Sequence, residues 1–589
     1  MIKTDLTWNT ALLYPAPDSP ELETELTSFE ELVSVFRTSY FEKVANLDDT
    51  TLLAALREYE ALQNRMSKPF CYSHLLFTTD SSNETYRALS QRCSELGNRF
   101  SQQLLFFDLE LMALDNDRFD SFGRFPDATC YLHFLEGIRK FRSHTLKENE
   151  ERLLTRKDLT GIRAFTKLFD ELSASFIYTM EMDGEEQEFT GEELLSLLHH
   201  TSSDVRFRAM TTFLEKHGEH GIVFNSVFNN MALDHGQEME LRSYTSPIQP
   251  TNIGNEIPDE AVEHLMSITE ANYGLAREYF RLKAGMLGME KLRNCDVYAP
   301  VAEAEKKYDF GEAAKLVVDS YNDYDPEFGR IVAAFFSDRR VDVLPRTNKS
   351  GGAFAMGISP EVPPFLLLNY TGTLRDLATI AHEAGHGLHF VLSQKQTMLN
   401  YHAPLPLAET ASVFGEMLLT RRMLDNETDP IVRKSLLCAK IEDIIATTFR
   451  QTVLTRFELR LHNERKTGLL SNDRIADIWL EENSKLFGDS VEMIPAYRWG
   501  WSYISHFIHS RFYCYSYTFA ELLVLALFQK YRLEGDSFKS GYRRLLESGG
   551  SLSPADTARL AGIDINARDF WQNGYDFLEG LIEELRMIA

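Results

Sequence analysis

Within the run AHEAGHGLHF, two histidines stand four residues apart, His382 and His386, with Glu383 between them and Ala384 and Gly385 filling the spacing. On a helix, residues four apart share a face, so the two imidazoles can reach one tetrahedral metal ion. The H-E-x-x-H pattern therefore points to zinc, one ion per chain, with His382 and His386 as ligands. Glu383 is offset from that face and can approach a water in the open coordination position, where it serves as general base without using up a ligand site. The chemistry implied is hydrolysis of an amide bond.

Catalytic zinc takes a third protein ligand. A third histidine in the H-x-x-G-x-x-H continuation is excluded, because His389 occupies the glycine position and Leu392 the last histidine position. The segment PLPLAETASVFGEMLLTRRML has helical spacing after Pro406, and it places Glu409 and Glu416 two turns apart on one face among small and apolar neighbours. Unpaired carboxylates are unfavourable in such surroundings. Glu409 is accordingly read as the third ligand and Glu416 as the partner of a ligand histidine. His389, two turns beyond His382, lies too far along the axis to coordinate and is read as a supporting residue around the site.

The elements that must position these groups are legible on either side. Thr373 and Asp376 form a T-x-x-D start signal for a helix over 374 to about 392. Before it, VDVLP, NKSGGAFAMGI and PPFLLLNY read as short strands, so a small sheet precedes the metal helix. Farther back, FIYTMEMDGEEQEFT reads as a hairpin turning at Asp183-Gly184. From Ser28 to about Asp170 the pattern is one of long amphipathic helices, with Ser28 and Glu31 spaced as a capping box and a polar break at TTDSSNET. The phenylalanine-rich FSQQLLFFDLELMAL reads as helix-packing core.

These motifs resemble the oligoendopeptidase F branch of the thimet-oligopeptidase-like zinc peptidases. The resemblance is carried by NKSGGAFAMGI, by LNYTGTLRDLATIAHEAGHGLH, by AETASVFGEML and by the tyrosine-rich HFIHSRFYCYSYTFAELL. It implies a mainly α-helical fold of two helical lobes flanking a deep substrate channel, with a small β-sheet next to the active-site helix. With a lobe boundary near the Asp183-Gly184 hairpin, the chain is read as an N-terminal helical lobe over 1–195 and a zinc peptidase catalytic region over 196–589. The resemblance also implies cleavage of internal bonds in short, unfolded peptides. By position, His382, His386 and Glu409 are the implied ligands, the last in an E-x-x-S pattern with Ser412, and Glu383 is the implied base. The family's glycine-containing edge strand corresponds to Gly351, Gly352, Ala353 and Phe354, where an extended peptide can add through main-chain hydrogen bonds. Tyr517 is the implied donor to the oxyanion, with His506 at the reacting centre and His509 and Tyr513 contacting substrate. The glycine pair that precedes the first tyrosine of the thimet type is absent here.

Composition bounds the alternatives. At 589 residues the chain exceeds the size of one compact core. Its 88 acidic against 61 basic residues give a formal net charge of -27, which argues against nucleic acid or an anionic membrane as partner. Six scattered cysteines without C-x-x-C read as reduced thiols. The opening MIKTDLTWNTALLYPAPDSP lacks the apolar core of a signal peptide, and the aliphatic run Leu522 to Phe528 is too short to cross a bilayer, so the expectation is a cytoplasmic protein. Oligomeric state is not encoded in any motif. Two rivals stand beside the endopeptidase: a zinc carboxypeptidase gripping a terminal carboxylate through Arg511 or Arg498, and a peptide-binding protein without turnover.

Overall fold

The structure, a computed structural model, describes residues 6–301 and 307–589. It is mainly α-helical and has two compact units, each assembled from three stretches of chain. The first comprises Met1–Arg142, Glu305–Asn426 and Lys530–Asp564, the second Ser143–Ala304, Glu427–Gln529 and Ile565–Ala589. Neither unit is a continuous stretch like 1–195 or 196–589. No helix among the described residues is long and apolar enough to cross a membrane.

In the first unit the helices Pro20–Tyr40, Asp49–Thr79 and Glu84–Ala113 bury one apolar face each. Phe100, Leu104, Phe106, Phe107 and Leu111 lie in that core, as the phenylalanine-rich segment predicts. The same core continues into Ile358 and into Phe365 and Leu367 of the small sheet, so the N-terminal helices form the floor under the strands beside the helix that carries His382 and His386. Trp8 joins the two, packing edge-on to Phe365 at 6.1 Å.

One sequence expectation fails here. Ser28 does not cap a helix: that helix begins at Pro20 with Ser19 before it, and the Ser28 hydroxyl donates back to the Glu25 carbonyl at 2.8 Å. An S-x-x-E spacing also occurs inside helices, and the stronger start signal was proline at the first helical position. The polar break is as expected, with helices ending at Thr79 and restarting at Glu84.

The three expected strands form one sheet. Val341–Asp342 pairs in parallel with Phe365–Leu367, which pairs antiparallel with Phe354–Met356. The order leaves Phe354–Met356 on the edge, with Phe354 opposite Leu367 and Met356 opposite Phe365. The chain then turns at Gly372 and enters the helix Leu374–Ser393, whose start carries both halves of the Thr373/Asp376 capping box.

In the second unit the hairpin Tyr178–Met182 with Glu185–Phe189 turns through two residues with positive φ, Asp183 at 54° and Gly184 at 85°. That is the two-residue geometry an Asp-Gly turn supplies. The centre of the unit is the first part of the helix Cys514–Glu534, buried on nearly every side from Cys514 to Phe528. A helix apolar all round belongs in a core. Trp571 of the helix Arg568–Arg586 packs on its Phe519 at 5.0 Å.

Candidate metal centre

The helix Leu374–Ser393 and the helix Ser412–Asn426 lie side by side in the first unit. Their approach is closer than ordinary side chains permit. A Cβ on Gly385 would fall 2.6 Å from Ser412 Cα and would overlap the Ala411 carbonyl, and one on Gly415 would overlap the Tyr321 hydroxyl. Glycine at both places lets the backbones touch. Tyr321 adds a fixed point by donating to the Ala381 carbonyl at 2.8 Å. None of Gly385, Gly415 and Tyr321 was singled out by the sequence reading, although a glycine inside a helical pattern was the available signal.

This packing brings three donor atoms together. His382 Nε2 and His386 Nε2 are 3.2 Å apart, and Glu409 Oε2 is 3.4 Å from each. Ligands at ~2.0–2.1 Å from a tetrahedral zinc are separated by about 3.3 Å, so the triangle has the right edge for that ion. The three donors form the one His/Cys/Asp/Glu group of this kind found among the described residues. All three residues are partly exposed, which leaves a coordination position open to solvent.

Glu409 does not lie on a continuous helix with Glu416, as the spacing after Pro406 suggested. A short helix ends at Ala408, Glu409 follows it as the capping residue, and a new helix begins at Ser412. The interruption aims the Glu409 carboxylate at the histidines, and the Ser412 hydroxyl fixes it by donating to Oε2 at 2.6 Å. Burial works against the charge on Glu409, but the histidines and Ser412 outweigh it and hold its pKa at about 2.

Around the triangle the supporting groups are in place. His382 Nδ1 donates to Glu416 Oε1 at 2.6 Å, which frees Nε2 for the triangle. His389 is 6% exposed; burial lowers its pKa to about 4, opposed by the Ala408 carbonyl beside it. It therefore stands as a neutral imidazole behind the residue that leads into Glu409. Glu383 is also 6% exposed, and its Oε2 has no hydrogen-bond partner among the described residues. Burial raises the Glu383 pKa, against the pull of His382 and His386. A buried, unpaired carboxylate oxygen next to a donor triangle is what a proton acceptor for water requires.

Gly351 and Gly352 are exposed ahead of the edge strand, with open space where a side chain would stand, and Gly352 has a φ of 75°. Asn369 holds the loop by donating to the Ser350 and Gly352 carbonyls at 2.9 and 2.7 Å. Ala353 and Phe354 follow, half-buried, with Phe354 opening the strand.

The tyrosine-rich segment belongs to the second unit. There His506 Nε2 and the Tyr517 hydroxyl share a hydrogen bond at 3.3 Å, and the Tyr513 ring lies parallel to His506 and perpendicular to Tyr517. His509 pairs with Asp170 at 2.9 Å on the helix Ile162–Ala174. Of the two arginines weighed for a carboxylate grip, Arg498 pairs with Asp473 and Arg511 faces His235 Nδ1 at 3.4 Å.

Comparison with known proteins gives the family. Residues 196–577 match Peptidase family M3, and residues 110–178 match the Oligopeptidase F region. Oligopeptidase PepF of Bacillus subtilis is 24% identical over 596 residues, covering 99% of this chain and 87% of the relative. Group B oligopeptidase PepB of Streptococcus agalactiae is 26% identical over 549 residues, 92% of this chain and 91% of the relative. A crystal structure from Chlamydophila abortus has a TM-score of 0.92 at 25% identity, covering 99% of this chain and 98% of that one. The oligoendopeptidase F structure from Enterococcus faecium, at 23% identity and a TM-score of 0.71, covers 96% and 98% and shares the fold. With well over half its length matched, the chain belongs to peptidase family M3 and is a metallopeptidase.

Proposed function

We propose that this chain is a zinc-dependent endopeptidase that hydrolyses internal bonds of short, unfolded oligopeptides, with one zinc per chain and its catalytic residues within 196–589. The observation that carries the reading is the donor triangle of His382, His386 and Glu409 beside the unpaired Oε2 of Glu383.

His382 Nε2, His386 Nε2 and Glu409 Oε2 would hold the metal, with Glu416 and His389 behind them. When bound, zinc supplies a Lewis acid that brings the pKa of water near neutrality and polarises a carbonyl. Glu383 Oε2 takes one proton from the attacking water as its oxygen bonds to the scissile carbonyl carbon. The same carboxyl then gives that proton to the leaving nitrogen as the C–N bond breaks, so Glu383 ends ionised as it began. Tyr517 is assigned as hydroxyl donor to the oxygen that gains charge, and His506 as the group that orients it. Gly351, Gly352, Ala353 and Phe354 offer the exposed edge on which an extended peptide lies, while Tyr513 and His509 complete the peptide contacts.

The test is hydrolysis of an internally quenched peptide of about ten residues with both ends blocked, by wild type and Glu383→Gln, with metal analysis of both. Cleavage by wild type alone at equal zinc content is the expected result. Zinc in both proteins without cleavage in either would reject an endopeptidase, since a carboxypeptidase or a binding protein leaves an end-blocked peptide intact.

A further inference from the structure

A buried or half-buried arginine normally has a carboxylate partner. Arg450, at the start of the helix Phe449–Arg465, has none among the described residues. Its guanidinium donates instead to two neutral oxygens, the Tyr298 hydroxyl at 2.9 Å through Nη1 and the Tyr503 hydroxyl at 3.0 Å through Nη2. All three side chains remain partly exposed to solvent.

The hydrogen-bond inventory of this group is one-sided. Guanidinium carries five N–H donors and no acceptor, and each tyrosine oxygen, having accepted from Arg450, still has its own O–H to donate. No acceptor for either O–H occurs among the described residues. The remaining guanidinium donors and two phenol donors therefore belong to one partly exposed group that bears a full positive charge. A planar anion that only accepts matches that set, and carboxylate is the form in which peptides carry it.

Arg450 is linked along its own helix and through Tyr503 to the segment that holds residues assigned above to the peptide. Two residues along the same helix, Thr452 meets Thr518, the neighbour of Tyr517, at 3.4 Å. Tyr503 precedes His506 by three residues, and His506 bonds to Tyr517. This grouping lies within the second unit.

We propose that Arg450, with the hydroxyls of Tyr298 and Tyr503, is a subsite for a carboxylate of the substrate peptide. This rests on the peptidase reading above and gives it a specificity determinant: affinity depends on a negative group in the peptide. When that group is the terminal carboxylate, the subsite distinguishes a free from a blocked C-terminus.

The test reads binding, so that it stands apart from turnover. In the Glu383→Gln protein, fluorescence anisotropy compares N-terminally labelled peptides of about eight residues with a free C-terminus against a C-terminal amide. A second pair carries aspartate against asparagine at one internal position. The expected result is at least tenfold weaker binding of the neutral member in one pair, and loss of that difference in Arg450→Gln. A difference in the first pair names the terminal carboxylate as the ligand, and in the second pair a side chain. Equal binding within both pairs, or a difference that survives Arg450→Gln, overturns the subsite. Should Arg450→Gln fail to fold, the doubly substituted Tyr298→Phe, Tyr503→Phe protein takes its place and is expected to reduce the difference. Hydrolysis of the amide peptide by wild type reports on the peptidase reading separately.

Discussion

His382 Nδ1 and Glu416 Oε1 lie 2.6 Å apart, joining the helix Leu374–Ser393 to the helix Ser412–Asn426 across a contact where both helices carry glycine. The bond fixes which ring nitrogen is left for a metal. With Nδ1 engaged by a carboxylate, Nε2 is the nitrogen that faces His386 and Glu409. Glu416 thus acts on the donor triangle without belonging to it.

Glu416→Gln should therefore weaken metal retention without removing a donor atom. An outer carboxylate on a ligand histidine is commonly worth 10–100-fold in metal affinity. Competition with a graded series of chelators measures this, and Glu416→Gln is expected to lose zinc in that range below wild type. An unchanged affinity would mean that the Nδ1 proton is held as well by an amide oxygen, and that the charge of Glu416 is irrelevant to the site.

Proton release on metal binding follows from the same pair. In the metal-free protein burial lowers the His382 pKa, but the Glu416 hydrogen bond and the charges of Glu416, Glu409 and Glu383 outweigh it and raise the value to about 9. At pH 7 the ring is then protonated on both nitrogens, and a metal must displace the Nε2 proton. Apparent affinity should rise with pH, by up to about tenfold per unit, and level off as pH passes about 9. Calorimetric titration of the metal-free protein in buffers of different ionisation enthalpy should register about one proton released at pH 7. A buffer-independent heat would contradict a cationic His382.

Much of this site was readable before any coordinates because its parts are local. The two histidines and Glu383 sit on one helical turn, Thr373 and Asp376 begin that helix, and Asp183-Gly184 has the turn chemistry its φ values require. Contacts set by tertiary packing were not readable. Helical spacing alone ran Glu409 and Glu416 into one helix, whereas the chain breaks at Glu409 and reaches the donor triangle from the break. Arg450, Tyr298 and Tyr503 come from three distant stretches, and no pattern in any of them signals the other two. The interleaving of both units along the chain is hidden for the same reason.

Gly385→Ala is expected to be far more disruptive than its single methyl suggests. In H-E-x-x-H the fourth residue has no chemical role, yet here its hydrogen faces the Ala411 carbonyl and Ser412 Cα. A methyl group must push the second helix away or distort its first turn, at a typical overpacking penalty of 1–3 kcal/mol. The displaced turn is the one that fixes Glu409. The variant should melt at a lower temperature in the metal-free state and bind less than one zinc per chain under conditions that saturate wild type. Full zinc occupancy with a normal melt would show that the two helices have room to separate.

Tyr517→Phe should lower kcat with little change in KM, because a hydroxyl that donates to developing charge acts on the transition state alone. Loss of one such donor is commonly about 10²–10³-fold in kcat. The ring stays, so its packing against Tyr513 at 5.0 Å persists and the fold should not suffer. Steady-state kinetics on one quenched peptide, with thermal melts alongside, separates the cases. A rise in KM at constant kcat would make Tyr517 a peptide contact.

Stability away from the metal should fall between mildly acidic and alkaline pH because of Glu458. This carboxyl is buried, its Oε2 accepts from the Phe512 N–H at 2.9 Å, and its Oε1 has no partner among the described residues. Burial raises its pKa to about 8, with the Phe512 amide and Arg511 opposing. An unfolded glutamate releases its proton near pH ~4.3. Between those values the folded state holds a proton that the unfolded state has lost, so the contribution is complete below the unfolded pKa and disappears as pH rises through about 8. The slope approaches ~1.4 kcal/mol per pH unit over that window. Glu458→Gln keeps the acceptor for Phe512 and cannot ionise, so its denaturant midpoint should vary less between pH 6 and 8.5 than that of wild type. Parallel curves for the two proteins would mean that Glu458 is ionised in the native state, its charge met by Arg511 rather than excluded by burial.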